Sequence, residues 1–338
     1  MKILCPIMNH KDILELNHPN NDVEFFCGYM PHWWVEKYNN SKTFELLRNL
    51  STPINNRNGV GANVLDSLEL KKIVQLSKER NARIFLVLNA KYYPEYVYVD
   101  LKRYIEEVID AGIREIIVCD IGILAFLQEN YPEIKVTISC LNQVTNTMAV
   151  DFYLNFENVK RIVFPRHMSV PEIKTIANKH KKIEFEFFVF SNKCLYDDGF
   201  CRGVHEFTPI CKDLFFSNYY DSFGKILPDH RIDDYKAQEV KYREWTRNEI
   251  LSTQKGYCTR NFACSACSLI ELCKLDNIVS VKISIRGHEI EERKKQVEMA
   301  RMVIETAQKG DKNALKQTVC RMYGKPILCS DGKACMMK

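Results

Sequence analysis

Short runs of apolar and β-branched residues recur along the chain and alternate with longer amphipathic stretches. Runs of this length and composition predict β-strands. Eight strands are predicted, at residues 2–5, 23–27, 84–88, 115–119, 135–139, 161–164, 184–190 and 279–285. Strands that are apolar throughout are buried on both faces, which is typical of a parallel sheet covered by helices.

The stretches between the strands carry apolar residues at helical spacing. In residues 68–80, for example, Leu70, Ile73 and Val74 lie near one face. Similar patterns predict helices at residues 101–111, 170–180 and 289–308. Eight β–α steps within residues 1–310 predict an α/β fold, a TIM-like (β/α)8 barrel. An open doubly wound sheet is the alternative, but no glycine-rich dinucleotide fingerprint follows the first strand.

Two long segments interrupt the alternation. Residues 28–63 are rich in asparagine, and residues 191–278 form a cysteine-rich insertion between the last two strands. Both segments leave the C-terminal end of a predicted strand, which is the end where barrel active sites are built. Residues 311–338 are predicted to be a C-terminal tail.

Composition narrows the class of protein only slightly. The 338 residues include 48 Lys and Arg against 43 Asp and Glu, a formal charge of +5 that permits an anionic small molecule or RNA as partner. The first residues lack the apolar run of a signal peptide, and no segment has the roughly 18 apolar residues of a membrane span. We therefore expect a cytoplasmic protein. Its 14 cysteines would stay reduced there, which favours metal binding over disulfides.

Five late cysteines have the spacing of a metal site. They are Cys194, Cys201, Cys211, Cys264 and Cys267. Six residues separate the first two, which is looser than most structural zinc sites, whereas the last two form a C-x-x-C step that suits zinc or iron. The pattern predicts a 4Fe–4S cluster, with a zinc site or free thiols as alternatives. Cys258 and Cys273 also stay open as the fourth ligand.

Polar residues at the ends of predicted strands are further candidates. Arg166 and Arg286 follow two strands, and a guanidinium there suits a carboxylate or other anionic substrate in a binding or catalytic role. Asn89 and Asn146 could hydrogen-bond a substrate, although turn or cap roles are the alternative. Asp120 is a candidate acid or base that could equally cap the following helix.

Several segments, in order, resemble the collagenase-like peptidase family, peptidase family U32. They are ARIFLVLNAKYY, REIIVCDIGIL, TISCLNQVTNTMAVDFY, NVKRIVFPRHMSVPEI, IEFEFFVFSNKCLYDDGFC and VKISIRG. The resemblance covers residues 2–307. It departs from the family in the last strand, where Ser284 and Ile285 replace a glutamate and a glycine, while Lys282 and Arg286 remain.

The resemblance implies a TIM-like barrel that carries a 4Fe–4S cluster on four cysteines. By position, Cys194, Cys201 and Cys211 match the first three ligands, and Cys267 or Cys264 matches the fourth. Several family members take part in oxygen-independent hydroxylation of RNA bases or small aromatic acceptors, with prephenate implicated as the oxygen source. An electron donor is expected as a partner if the protein is redox active. The sequence therefore predicts an iron–sulfur enzyme of this type. A peptidase or peptide-modifying enzyme, and a binding module with a structural metal, are the alternatives.

Overall fold

Eight parallel strands form a closed barrel in the computed structural model, which describes residues 1–39, 54–57, 60–190, 199, 220–227, 233, 237, 240–241 and 264–322. The strands are β1 (Lys2–Pro6), β2 (Val23–Cys27), β3 (Ile84–Leu88), β4 (Glu115–Val118), β5 (Lys135–Ile138), β6 (Val159–Val163), β7 (Glu184–Phe190) and β8 (Ile278–Ile283). Each strand pairs with the next, and Ile3 of β1 pairs with Val281 of β8, which closes the barrel. The predicted TIM-like (β/α)8 barrel is confirmed.

In the described part of the chain, a helix follows each strand and runs back along the outside of the barrel. These helices are α1 (His10–Leu16), α2 (Ser67–Glu79), α3 (Tyr98–Asp110), α4 (Ile121–Asn130), α5 (Thr147–Tyr153), α6 (Val170–Lys179), α7 (Leu269–Leu272) and α8 (Ile290–Gln308). Short helical turns lie in the loops at His32–Trp34, Val35–Asn39, Val60–Ala62, Glu95–Val97, Cys140–Asn142 and Ala266–Ser268. Of the helices described, none has the length and apolar character needed to cross a membrane.

Side-chain caps fix where several of these helices begin. Asn9 and Asp12 form a capping box at α1, and Ser169 and Glu172 form another at α6. Each box satisfies two backbone N–H groups that the first helical turn leaves without a partner. The loops therefore enter these helices at defined points.

Alternation along the strands separates an outer core from an inner one. Outward-facing strand residues pack against the helices, whereas Leu4, Phe26, Phe85, Val87 and Ile117 form a separate buried cluster. These five occupy alternate positions on neighbouring strands, and successive side chains on a strand point to opposite faces. The barrel interior is therefore filled by side chains, as expected for eight strands.

The interior also contains buried charges. Arg161 is 1% exposed, and its Nη1 lies 2.7 Å from Glu24 Oε2 and 3.1 Å from Glu186 Oε2. Lys282 Nζ lies 3.0 Å from Glu186 Oε1, so one carboxylate joins cations from two other strands. The Arg161 guanidinium also lies 4.8 Å from the centre of the Phe85 ring. Ion pairs thus join β2 to the last three strands of the barrel, β6, β7 and β8.

The C-terminal prediction needs a correction. Residues from 311 onward were predicted to be a tail, but Lys312–Met322 form a helix, α9, that packs against α8. Leu315 and Val319, one turn apart, are both buried by this packing, which explains why the helix forms. Residues 323–338 of the predicted tail lie outside the described residues.

Candidate functional site

Arg166 lies at the C-terminal mouth of the barrel, as the sequence predicts for a residue just after β6. Its Nη2 donates a hydrogen bond to Ser284 Oγ at 3.2 Å, just beyond β8. The guanidinium carbon lies 3.6 Å from the centre of the Phe188 ring on β7, a cation–π contact. The side chain is half-buried. A positive charge is thereby held across the ends of three adjacent strands.

Arg286 also lies at the mouth, but its described contacts are with the protein itself. Only 4% of the residue is exposed, and its Nη2 donates to Asn55 Oδ1 at 2.6 Å and to the Arg57 carbonyl at 3.4 Å. In return, Arg57 Nη1 donates to the Arg286 carbonyl. The predicted substrate-binding arginine is therefore bonded to residues 54–57, which we call the strap.

The two asparagines and Asp120 form hydrogen bonds within the protein. Asn89 lies at the mouth, where its Oδ1 accepts from the Asn56 N–H at 3.1 Å and its Nδ2 donates to Ser139 Oγ at 3.4 Å. Asn146 is exposed and caps α5, and Asp120 caps α4 by accepting from the Ile123 N–H at 3.0 Å. The cap alternatives from the sequence thus describe the observed contacts of Asn146 and Asp120.

The later cysteine pair lies beside the end of β7. Cys264 forms an antiparallel bridge with Phe190, the last residue of that strand. Ser265 holds this arrangement, because its N–H donates to the Val189 carbonyl at 2.9 Å and its hydroxyl donates to the Phe188 carbonyl at 2.5 Å. Both Cys264 and Cys267 are partly exposed. The C-x-x-C pair therefore begins at the C-terminal end of β7, where Cys264 is held.

The other three predicted ligands, Cys194, Cys201 and Cys211, lie outside the described residues, as does Cys258. Within the part of the chain that is described, no group of three or more His, Cys, Asp or Glu residues could hold a metal ion. The full ligand set therefore stays a prediction.

One residue of the insertion, Gly199, is described, and it lies on the mouth. Lys91, just after β3, donates from Nζ to the Gly199 carbonyl at 3.1 Å. A Cβ at position 199 would lie 2.1 Å from Gln143 Cγ, so any other residue there would force the Gln143 side chain to move. Gly199 is two residues before Cys201 in the sequence. Gly199, which lies between the first two candidate ligands in the sequence, therefore contacts loops that follow β3 and β5.

Three further cysteines are less suited to ligate a metal at the mouth. Cys273 Sγ lies 4.0 Å from Met1 Sδ, next to the start of β1 and so at the opposite end of the barrel. Cys119 and Cys140 are buried together with Val163 and Phe188. Burial raises the pKa of the Cys119 thiol to about 12, so this thiol stays protonated at neutral pH.

Sequence reasoning missed four residues at this mouth: Lys91, Gln143, Asn55 and Arg57. Gln143 adopts a left-handed backbone (φ 52°), which the sequence does not reveal. The two strap residues belong to the asparagine-rich segment that broke the β–α alternation, and that interruption was the available signal. Their partner Arg286 is more than 200 residues away, beyond the reach of local pattern reasoning.

The order of the motifs and the barrel define the class of protein, and comparison with known families agrees. The sequence model of peptidase family U32 matches residues 52–328, so the chain belongs to this family. The family resemblance seen in the motifs is therefore confirmed.

Curated relatives match smaller parts of the chain. A tRNA hydroxylation protein P from Haemophilus influenzae is 30% identical over 174 residues, which are 46% of this chain and 37% of that protein. A collagenase from Porphyromonas gingivalis is 24% identical over 156 residues, covering 43% of this chain and 36% of that protein. The matched part thus spans about a third of the length of these relatives. A solved U32 peptidase structure aligns with 67% of this chain and 85% of its own, at 13% identity and a TM-score of 0.43.

Proposed function

We propose that this protein is an iron–sulfur enzyme of family U32 that takes part in the hydroxylation of an RNA base. The relatives from Haemophilus influenzae and Bacillus subtilis are both named as tRNA hydroxylation proteins. The observation that carries the proposal is the bridge between Phe190 and Cys264. It sets the C-x-x-C pair against the strand after which Cys194 follows by four residues in the sequence.

The described thiols suit a cluster. Cys264 and Cys267 are partly exposed, and Cys264 Sγ accepts the Ala266 N–H at 3.4 Å. Hydrogen bonds of this kind tune cluster thiolates. Cys194, Cys201 and Cys211 are proposed as the remaining ligands. When bound, a 4Fe–4S cluster would supply electron transfer with an external redox partner, or an open iron for a ligand.

Cations around the mouth favour an anionic substrate. Arg166 lies across β6 to β8, Lys91 lies beyond β3, and Arg57 lies in the strap. All three side chains are half-buried. Phosphate groups of RNA or a small carboxylate would be attracted to this mouth, and arginine suits both because its planar fork can donate two parallel hydrogen bonds.

The cluster is tested by anaerobic purification, followed by iron and sulfide analysis and EPR spectroscopy of the dithionite-reduced protein. We expect about four iron atoms per chain in the wild type. Cys264→Ser and Cys267→Ser should identify the ligand of the pair, because one of them should lower the iron content. Cys273→Ser is the matched control, since this thiol contacts Met1 at the other end of the barrel. Iron-free protein after anaerobic reconstitution would refute the cluster, and zinc in its place would favour a structural site.

The reaction is tested on RNA. The chain would be expressed in a host that lacks its own tRNA hydroxylation proteins, and bulk tRNA and rRNA would be digested to nucleosides for mass spectrometry. We expect a nucleoside heavier by one oxygen atom, which disappears with the cluster-deficient cysteine variant but not with Cys273→Ser. Unchanged nucleosides in the presence of an intact cluster would reject RNA as the substrate.

A peptidase is the second candidate, because one relative is named a collagenase. A thiolate bound to iron is not a free nucleophile, so the cluster ligands cannot also attack a peptide bond. Incubation of the anaerobic and the iron-depleted protein with gelatin separates the two functions. Cleavage that survives iron removal would favour the peptidase, whereas absence of cleavage in both preparations favours the hydroxylation role.

A further inference from the structure

We infer that Arg286 is a positioning residue: it holds the strap, residues 54–57, in place as a wall of the substrate site on the side of β8, β2 and β3. Gly28, the residue after β2, leaves the space that the Arg286 side chain needs for this contact. The anchoring follows from contacts within the protein and does not depend on the reaction. The wall assignment rests on the proposed function, because it takes RNA as the substrate.

Side chains beyond β8 and β3 bond to the strap from two sides of the mouth. From β8, Arg286 donates to Asn55 Oδ1 and to the Arg57 carbonyl. From beyond β3, Asn89 accepts the Asn56 N–H at 3.1 Å. Tyr93 OH, in the same loop as Asn89, donates to the Ile54 carbonyl at 2.5 Å. Each strap residue is therefore bonded to the barrel, and Ile54 and Asn55 are fully buried.

Asn63 completes the anchoring from the chain that returns beside β2. It accepts from Asn55 Nδ2 at 2.9 Å and donates to the Arg57 carbonyl at 2.9 Å. Val64, the next residue, donates its N–H to the Gly28 carbonyl at 2.8 Å. The strap thus lies against a backbone that is itself paired with the end of the barrel.

Gly28 is the position that makes room for this packing. A Cβ there would lie 2.0 Å from Asn63 Oδ1 and 2.6 Å from Arg286 Nη1, distances that no real contact allows. Both atoms belong to side chains that hold the strap. A methyl group at position 28 would therefore displace the anchors without removing any hydrogen-bonding group.

Direct binding of substrate by Arg286 is the competing assignment. Its low exposure and its bonds to two different strap residues argue against it. The two roles predict different effects of lysine at this position. A lysine keeps the charge that would attract an anion, but its ammonium group lacks the planar geometry that places Arg286 Nη2 between Asn55 Oδ1 and the Arg57 carbonyl.

Hydrogen–deuterium exchange of the full chain, read by mass spectrometry, tests the anchoring. We expect peptides that cover residues 54–57 to exchange at least tenfold faster in Gly28→Ala, Asn63→Ala and Arg286→Lys than in the wild type. Gly61→Ala is the matched control, because a Cβ there meets nothing within 4 Å. Peptides from α4 and β6 should exchange as in the wild type. Wild-type exchange at the strap in all variants, or faster exchange throughout the barrel, would overturn the anchoring role.

Binding of bulk tRNA, measured by fluorescence anisotropy, tests the wall assignment. We expect at least a threefold change in affinity for Gly28→Ala and Asn63→Ala, and wild-type affinity for Gly61→Ala. Arg286→Lys should behave like the first two, whereas wild-type affinity in this variant would favour direct anion binding. If the wild-type protein does not bind tRNA, both the proposed RNA substrate and the wall assignment are refuted. The hydrogen–deuterium exchange experiment tests the anchoring role independently of that result.

Discussion

The carboxylate of Glu186 provides the sharpest test of how the barrel interior is stabilised. Glu186 is fully buried, accepts from Lys282 Nζ at 3.0 Å and Ser280 Oγ at 2.8 Å, and lies 3.1 Å from Arg161 Nη1. Glu186→Gln keeps the shape of the side chain and removes its charge. Lys282 then loses its carboxylate partner while it stays largely buried.

Loss of one partner of a buried ion pair destabilises a protein by about 3–5 kcal/mol. We expect the lower end, about 3 kcal/mol, because Arg161 keeps its contacts with Glu24 and Glu184. Urea denaturation with linear extrapolation measures the free energy of unfolding, and the m-value should stay unchanged. Glu271→Gln is the control, since this exposed carboxylate pairs with Lys174 and Lys274 at the surface and should matter little.

The same variant makes a prediction about pH. Burial alone would raise the pKa of Glu186, but Lys282, Arg161 and hydrogen bonds outweigh it and hold the pKa below its ordinary value of 4.5. A lowered pKa in the folded state stabilises the protein above the unfolded pKa, and this contribution is lost as the pH falls through the folded value. The stability gap between wild type and Glu186→Gln should therefore be constant near neutral pH and shrink below pH 4.5. A gap no larger than that of the Glu271 control, or one that disappears at neutral pH, would refute the reasoning.

Three further predictions concern other parts of the fold. Asp120→Ala should lower the free energy of unfolding by about 1 kcal/mol, because the cap of α4 is lost. Asp120→Asn can still cap the helix, so it should keep both stability and activity. Loss of turnover in Asp120→Asn would instead show that Asp120 acts as an acid or base. Burial raises the pKa of Cys119 and of Cys27 to about 12. Both thiols should therefore react with iodoacetamide far more slowly in the native protein than in the urea-unfolded protein. Equal labelling of the two states, measured by peptide mass spectrometry, would contradict their burial. Arg293→Gln should destabilise the protein by about 3 kcal/mol, because the buried Arg293 guanidinium donates two hydrogen bonds, of 2.5 and 3.0 Å, to the Asp12 carboxylate. A melting temperature equal to that of the wild type would contradict a stabilising role for this ion pair.

The strand bounds predicted from the sequence can be compared with those in the structure. The predicted bounds of β2, β3 and β7 agree with the structure, because apolar residues dominate each run even though β2 contains one glutamate and β7 contains two. The prediction for β6 began at residue 161, whereas the strand begins at Val159. Lys160 is exposed, so this charged residue separates Val159 from the rest of the strand and conceals where the strand begins, and the next residue, Arg161, is buried in ion pairs. Apolar periodicity cannot reveal a charge that is paired inside the barrel.

In the candidate site too, some contacts follow from local sequence position and others do not. The position of Arg166 at the mouth follows from its place just after a strand, and the structure has it there. Arg286 has the same position relative to its strand, yet it bonds to the strap. The difference comes from a loop that returns across the mouth from β2, and no local rule connects Asn55 with a residue so far along the chain. The predicted metal ligands all lie in the insertion, and among them Cys264 and Cys267 alone belong to the described residues.

The buried ion pairs constrain when this fold can be completed during synthesis. A chain that has left the ribosome only as far as β7 has Arg161 and Glu186 in place but lacks Lys282 and Ser280. Its first and seventh strands also still have open edges, which are prone to pair with other chains. The long insertion must emerge before the last strand can insert, although the entropy of closing a loop rises only slowly with its length. Closure of the barrel is therefore a late step, and chaperone binding should be strongest while the insertion is being translated.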